Sequence, residues 1–117
     1  AGYVDIDTVS GEASNSGAIA SNGGSGDEEG RSGGSVNLFG ATASNSGDIS
    51  VNGGNGTSVD VLVDTRGGWG GYVSIEGLGL GAAATNTGNV TYSFGTGDTN
   101  GEDGCLQVGL TFTGNCN

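Results

Sequence analysis

A chain of 117 residues with 28 Gly, no Pro and a net charge of −11 has the length of one domain but not the composition of an average globular one. Leu, Ile, Val and Phe together number 23, about one residue in five, which with that charge lies at the border where chains stop burying enough apolar surface to fold. There is no His, Lys or Met and only two cations, Arg31 and Arg66, which excludes His-based triads, Schiff-base lysines and His-ligated zinc, while a pI near 4.1 opposes nucleic acid and anionic membranes as partners.

Ala1-Gly2 opens the chain without an initiating Met, so a processed chain is expected, and no apolar run approaches the roughly 20 residues that span a bilayer. Gly2-Tyr-Val-Asp-Ile6 then alternates polar and apolar residues as a strand does. Ala13-Ser-Asn-Ser-Gly-Ala-Ile19 reads as a corner leading into a second strand, followed by a Gly-rich loop and the surface turn Gly26-Asp-Glu-Glu-Gly-Arg31, in which Arg31 relieves local repulsion. The same order restarts with Gly34-Ser-Val-Asn-Leu38, Ala43-Ser-Asn-Ser-Gly-Asp-Ile49 and the loop Asn52-Gly-Gly-Asn-Gly56. Here an extra run, Ser58-Val-Asp-Val-Leu-Val-Asp64, is the most strand-like in the chain and is expected to add a strand or cover an edge. A third round follows with Gly71-Tyr-Val-Ser-Ile75 and Ala84-Thr-Asn-Thr-Gly-Asn-Val90, and Gly104-Cys-Leu-Gln-Val108 begins a partial fourth. Tyr3, Ser35, Tyr72 and Cys105 hold equivalent places 32, 37 and 33 residues apart, so residues 1–117 form a single repeat domain with units starting near 2, 34, 71 and 104.

Helix is implausible, because Gly and Asn recur every few residues and the apolar period is two. A repeat of this length with short strands and Gly-rich corners fits an all-β fold, a short parallel β-solenoid of three to four coils whose equivalent strands stack about 4.8 Å apart. Val4, Ile6, Val36, Leu38, Val73, Ile75, Leu106 and Val108, with Ile19, Ile49 and Val90, would then point inward. Asn15, Asn45 and Asn86 would share one corner and hydrogen-bond along the axis, and Gly would supply positive φ at the bends. The competing fold is a pilin-like antiparallel β-sandwich with a donated strand, which short strands and a C-terminal disulfide would also serve.

The Gly-Gly-x-Val-x-Leu and Asn-(Ser/Thr)-Gly-x-Ile-x-Val texture, from Gly2 to about Val108, resembles the Gly/Asn-rich right-handed parallel β-helix repeats of bacterial and archaeal surface proteins. That resemblance implies a solenoid and a role as adhesin, filament component or matrix protein at the cell surface, with polysaccharide lyases as an enzymatic branch.

Cys105 and Cys116 are expected to form a disulfide closing a short loop, the alternative being two buried thiols; their spacing is not that of a CxxC redox or zinc site. Asp98, Asn100, Glu102 and Asp103 offer oxygen ligands in a tight Gly-rich loop, a partial match to a calcium loop that the bland reading makes a solvated turn. Asp60, Asp64 and Arg66 beside Trp69 and Tyr72 combine the groups a carbohydrate site uses, although both acids would lie on the solvent face of a strand, and no catalytic residue is assigned. Asn55 and Asn89 fit the N-glycosylation acceptor pattern. The first hypothesis is a non-enzymatic extracellular subunit that polymerises with copies of itself. Tyr3, Val4 and Ile6 of its first strand would meet Leu110 and Phe112 of the last, no capping element being evident. A glycan- or calcium-binding surface module is the second.

Overall fold

A computed structural model describes residues 2–78 and 83–116. The first coil consists of β1 (Tyr3–Asp7), β2 (Glu12–Asn15), β3 (Ile19–Ala20) and β4 (Gly26–Asp27). The second repeats them as β5 (Ser35–Gly40), β6 (Thr42–Asn45), β7 (Ile49–Ser50) and β8 (Gly56–Thr57). β9 (Tyr72–Gly77), β10 (Ala84–Asn86) and β11 (Val90–Thr91) form the third, and β12 (Cys105–Val108) and β13 (Thr111–Gly114) lie above β9.

Equivalent strands pair in parallel, and the register of the largest sheet runs from Tyr3 to Ser35 to Tyr72 to Cys105. Three smaller sheets stack β2-β6-β10, β3-β7-β11 and β4-β8 in the same way. The fold is therefore a short parallel β-solenoid and not a sandwich. Among the described residues the one antiparallel pair is β12 with β13. The molecule measures 54 × 23 × 20 Å, and because coils repeat at about 4.8 Å the long dimension runs across the coil, not along the stack.

One half of each coil holds an apolar column. Alternation turns Val36, Leu38, Val73 and Ile75 inward, where they are fully buried with Ile49 and Val51. Ala13, Ala43 and Ala84 line the facing sheet, and their small side chains let it pack closely against the first. At the column's two ends, Val4, Ile6 and Ile19 in the first coil and Val90, Tyr92, Leu106 and Val108 in the last are only partly covered.

The corner asparagines form the expected ladder. Asn15 Nδ2 donates to Asn45 Oδ1 at 2.8 Å, and Asn45 Nδ2 donates to Asn86 Oδ1 at 2.8 Å. Asn45 is 1% exposed and also donates to its own corner at Gly47 O, so a buried amide is satisfied from within its turn and from both neighbouring coils.

The other half of each coil has no apolar filling. Its outgoing wall carries Gly24, Gly54 and Gly95, its returning wall Arg31, Gly68 and Gly101, and the two walls are bonded to each other through backbone. Arg31 N–H donates to Gly24 O, Gly54 to Arg31, Gly68 to Gly54, Gly95 to Gly68 and Gly101 to Gly95, at 2.8 to 3.1 Å, so one zigzag relay climbs through three coils. Coils this closely stacked exclude side chains: a Cβ on Gly54 would collide with Gly24 O, and one on Gly68 with Arg31 O, in each case the equivalent residue of the coil below. This corrects the expectation that Gly is present for positive φ, which among the described glycines occurs at Gly11, Gly109 and Gly114. Most of the glycine requirement is one of clearance.

Ser58–Asp64 does not form the expected strand. Val59 is fully exposed, Val61 96% and Leu62 90% exposed, and the chain turns at Val61–Leu62. Asp60 N–H donates to Ser58 Oγ and Leu62 N–H to Asp60 Oδ1, so local side chains capture the donors that a ladder would use. The second repeat is longer than its neighbours, and its extra residues have no counterpart to pair with before Arg66 rejoins the stack between Glu29 and Thr99.

Two destabilisation tests follow from this architecture. Gly54→Ala should cost about 1 to 3 kcal/mol by overpacking, whereas Gly24→Ala, whose Cβ meets open space, should stay within about 0.5 kcal/mol; urea titration of both separates clearance from glycine content. Asn45→Ala removes the middle rung and takes one partner from Asn15 and one from Asn86, each of which keeps a bond within its own turn, and is expected to lose about 2 kcal/mol in the same titration. Asn15→Ala, at the exposed end of the ladder, should cost less.

Candidate functional site

The coil wall that returns from the glycine half carries the chain's one tryptophan. Trp69 stands with two glycines on either side, and its backbone is fixed, its N–H donating to Ser32 Oγ at 3.3 Å and its carbonyl accepting from Gly33 N–H at 2.8 Å. The indole is nevertheless 56% exposed, and Tyr72, three residues on at the start of β9, is 40% exposed. Tyr72 Oη donates to Gln107 Oε1 at 2.6 Å, which fixes the phenol against β12.

Trp69 and Tyr72 line a groove of about 420 Å³ whose other wall includes Glu102, Asp103 and Asn115. Asn115 Nδ2 donates to Glu102 Oε2 at 3.1 Å, and Phe94 N–H donates to Asp103 Oδ1 at 3.1 Å. On its other side Trp69 borders a second groove of about 490 Å³ with Arg66, Ser32, Thr99 and Asn100. Asp60 lies elsewhere, in a depression between the excursion and Asp98, and Asp64 is exposed in the excursion, so the acids expected beside Trp69 are replaced by two from the next coil.

Glu102 and Asp103 were expected as cation ligands together with Asp98 and Asn100, and each of the four acts on a different structural partner. Asp98 Oδ2 accepts from Thr65 N–H at 3.0 Å and from Thr65 Oγ1, and Thr65 Oγ1 accepts from Asp98 N–H at 2.9 Å, tying the third coil to the second. Asn100 Oδ1 accepts from Gly97 N–H at 3.4 Å. Among the described residues no three Asp, Glu, Cys or His side chains gather as a metal site would require.

The residues expected at subunit contacts occupy the two outer edges of the largest sheet. Tyr3, Val4 and Ile6 lie on β1, below which no strand pairs among the described residues. Phe112 lies on β13 at the opposite edge, and Leu110 is in the turn before it; both are exposed. β13 folds back antiparallel on β12, so the last element is not a fourth coil but a hairpin, and β13 itself forms the outer edge of the sheet. Gly109, with φ of 59°, permits that reversal. Of the two glycosylation acceptors, both exposed, Asn55 uses Oδ1 to accept from Thr96 N–H at 2.8 Å.

No protein-family model, curated protein or solved structure matches the chain. Among the described residues no helix is long and apolar enough to cross a membrane. What the two places offer is thus judged from geometry: sheet edges that accept strands, and an aromatic groove with carboxylates and an amide.

Cys105 and Cys116 are joined as a disulfide with Cα atoms 5.0 Å apart, which fastens the segment after β13 to the first residue of β12 beside the groove. Replacing both by Ser should destabilise the fold by about 2 to 3 kcal/mol. The unreduced wild-type mass should fall two hydrogens below that of the reduced chain; identical masses would refute the bond.

Proposed function

We propose that the chain is a structural subunit of an extracellular fibre, pilus-like filament or surface matrix, stacking end to end by pairing of strand edges, as its resemblance to microbial surface repeats implies. The observation that supports this is the open lower end of the solenoid. β1, β2, β3 and β4 all carry strands above and none below among the described residues, and Val4, Ile6 and Ile19 complete only part of a core. That end is one of the molecule's broad faces, of the order of 1,000 Å² from its dimensions, comparable with the roughly 800 Å² per partner of a standard interface.

The occupant best suited to this face is another copy, because a parallel solenoid is its own template. Its polarity is set by the Asn ladder, in which every amide donates upward, so the top rung turns a donor and the bottom rung an acceptor toward any neighbour. Unlike ends then meet, and a head-to-tail contact of this kind does not close into a dimer. The upper end is stepped: β12 and β13 rise above β9, while among the described residues no strand pairs above β10 and β11. The outermost edge, β13, is where β1 of the next copy would pair, bringing Tyr3 toward Phe112. A disulfide fits assembly in an oxidising compartment.

Asp5, Asp7 and Glu12 lie on the open coil, and a net charge of −11 opposes association, so salt or divalent cations should promote it. Full-length protein is expected to form long filaments in electron micrographs as salt or calcium rises. Deletion of residues 1–9 should abolish them. Phe112→Lys, which leaves the three coils intact, should do the same. A monomer at every salt and calcium concentration, or filaments that persist in both variants, would refute the reading.

A further inference from the structure

We infer that the two grooves flanking Trp69 form a binding site for an extended neutral polysaccharide. This does not depend on fibre formation. An indole exposed by more than half is an unfavourable place to leave the chain's only tryptophan, and the backbone that carries it is fixed, by Ser32 and Gly33 from the coil below and by Gly70 N–H donating to Glu102 O above at 2.8 Å. An aromatic side chain on a fixed backbone has only two torsions to order on binding. Trp69 and Tyr72 give the groove apolar ring surface, which suits the C–H-bearing face of a pyranose, and Tyr72 is itself immobilised through Gln107.

The polar groups are of the kind that read hydroxyls. Protein donors reach Glu102 Oε2 and Asp103 Oδ1, and a carboxylate has about four acceptor sites, so capacity remains to accept from sugar hydroxyls. Asn115 adds an amide in the same groove. On the far side of Trp69, Ser32, Thr99, Asn100 and Arg66 continue the polar lining, so the indole is a shared wall between two grooves. A single sugar fills one of them; a chain of several units spans both. The charge of the molecule selects among glycans: with 13 acids against two arginines, uronate and sulfated polymers are repelled.

The emission of Trp69 reports on the site directly, because no other tryptophan contributes. The full chain at low salt, where stacking is weakest, is titrated with glucose and with neutral hexasaccharides of β-1,4-glucan, β-1,4-xylan and α-1,4-glucan, and with an oligogalacturonate. A saturable emission change is expected with at least one neutral hexasaccharide, at least about tenfold tighter than with glucose and absent with the oligogalacturonate. Tyr72→Phe should weaken it little and Tyr72→Ala by about tenfold or more, since the ring and not the hydroxyl contacts sugar. No response to any of the three neutral hexasaccharides up to about 10 mM, equal binding of the oligogalacturonate, or indifference to Tyr72→Ala would overturn the assignment. So would an emission change driven by protein concentration alone, which would make Trp69 a contact between copies.

Discussion

The hydrogen bond from Gly54 N–H to Arg31 O, with its continuation through Gly68 and Gly95, is the constraint on which the rest of this structure depends. It joins the outgoing wall of one coil to the returning wall of the coil below, and its continuation joins the opposite walls of one coil, a contact ordinarily made by interdigitating side chains. Stacking bonded walls this closely leaves no room for Cβ, because the carbonyl oxygen of the equivalent residue one coil below occupies the space where a side chain would begin. The high glycine content is thus a packing requirement, and the absence of proline has the same origin, because a wall held by its N–H groups cannot spare a donor.

That constraint explains how a chain at the compositional border of disorder folds. An apolar column is needed in only half of each coil, and the buried residues supply it with little excess. Glycine loses more conformational freedom on folding than other residues, by roughly 0.5 to 1 kcal/mol relative to Ala, so the glycine half starts at a disadvantage that its paired backbone must offset. The side-chain bonds between coils act in the same direction. Asn52 N–H donates to Asn22 Oδ1 and Ser93 N–H to Asn52 Oδ1, each at 2.8 Å, so amides outside the walls clamp one coil to the next. The disulfide secures the last hairpin, where no further coil does so among the described residues.

Features that depend on one coil matching the next were legible in the residues. The register of Val4, Val36, Val73 and Leu106, the inward alternation and the Asn15–Asn45–Asn86 ladder all follow from aligning the repeats. Features that depend on a missing partner were not. Ser58–Asp64 has the composition of a strand, but strands need a neighbour, and local Ser and Asp side chains won its donors. β13 likewise alternates as a strand should, and nothing in its composition states that Gly109 reverses the chain instead of continuing the coil. Asn52-Gly-Gly-Asn-Gly56 reads as a loop because cross-wall bonding has no apolar period. The groove was half legible: Trp69 and Tyr72 stood out, but proximity along the chain pointed to Asp60 and Asp64. The repeat offset of 33 pointed to Glu102 and Cys105, which the stack places beside them.

That last case shows where specificity resides in a stacked fold. Ser32, Trp69 and Glu102 follow one another up the same wall, as the bonds from Gly33 N–H to Trp69 O and from Gly70 N–H to Glu102 O show. Their backbones do equivalent work, yet the side chains are a hydroxyl, an indole and a carboxylate. Inward positions have no such freedom: along the column, Val36 meets Val73 and Leu38 meets Ile75. A solenoid therefore separates its two tasks by direction, with likeness between coils maintaining the column and difference between coils building a surface. The excursion at Ser58–Asp64 is the same division in the backbone, since the stack resumes at Arg66 undisturbed while the extra residues project outward. Departures from the repeat, more than the repeat itself, are where this molecule's chemistry is concentrated.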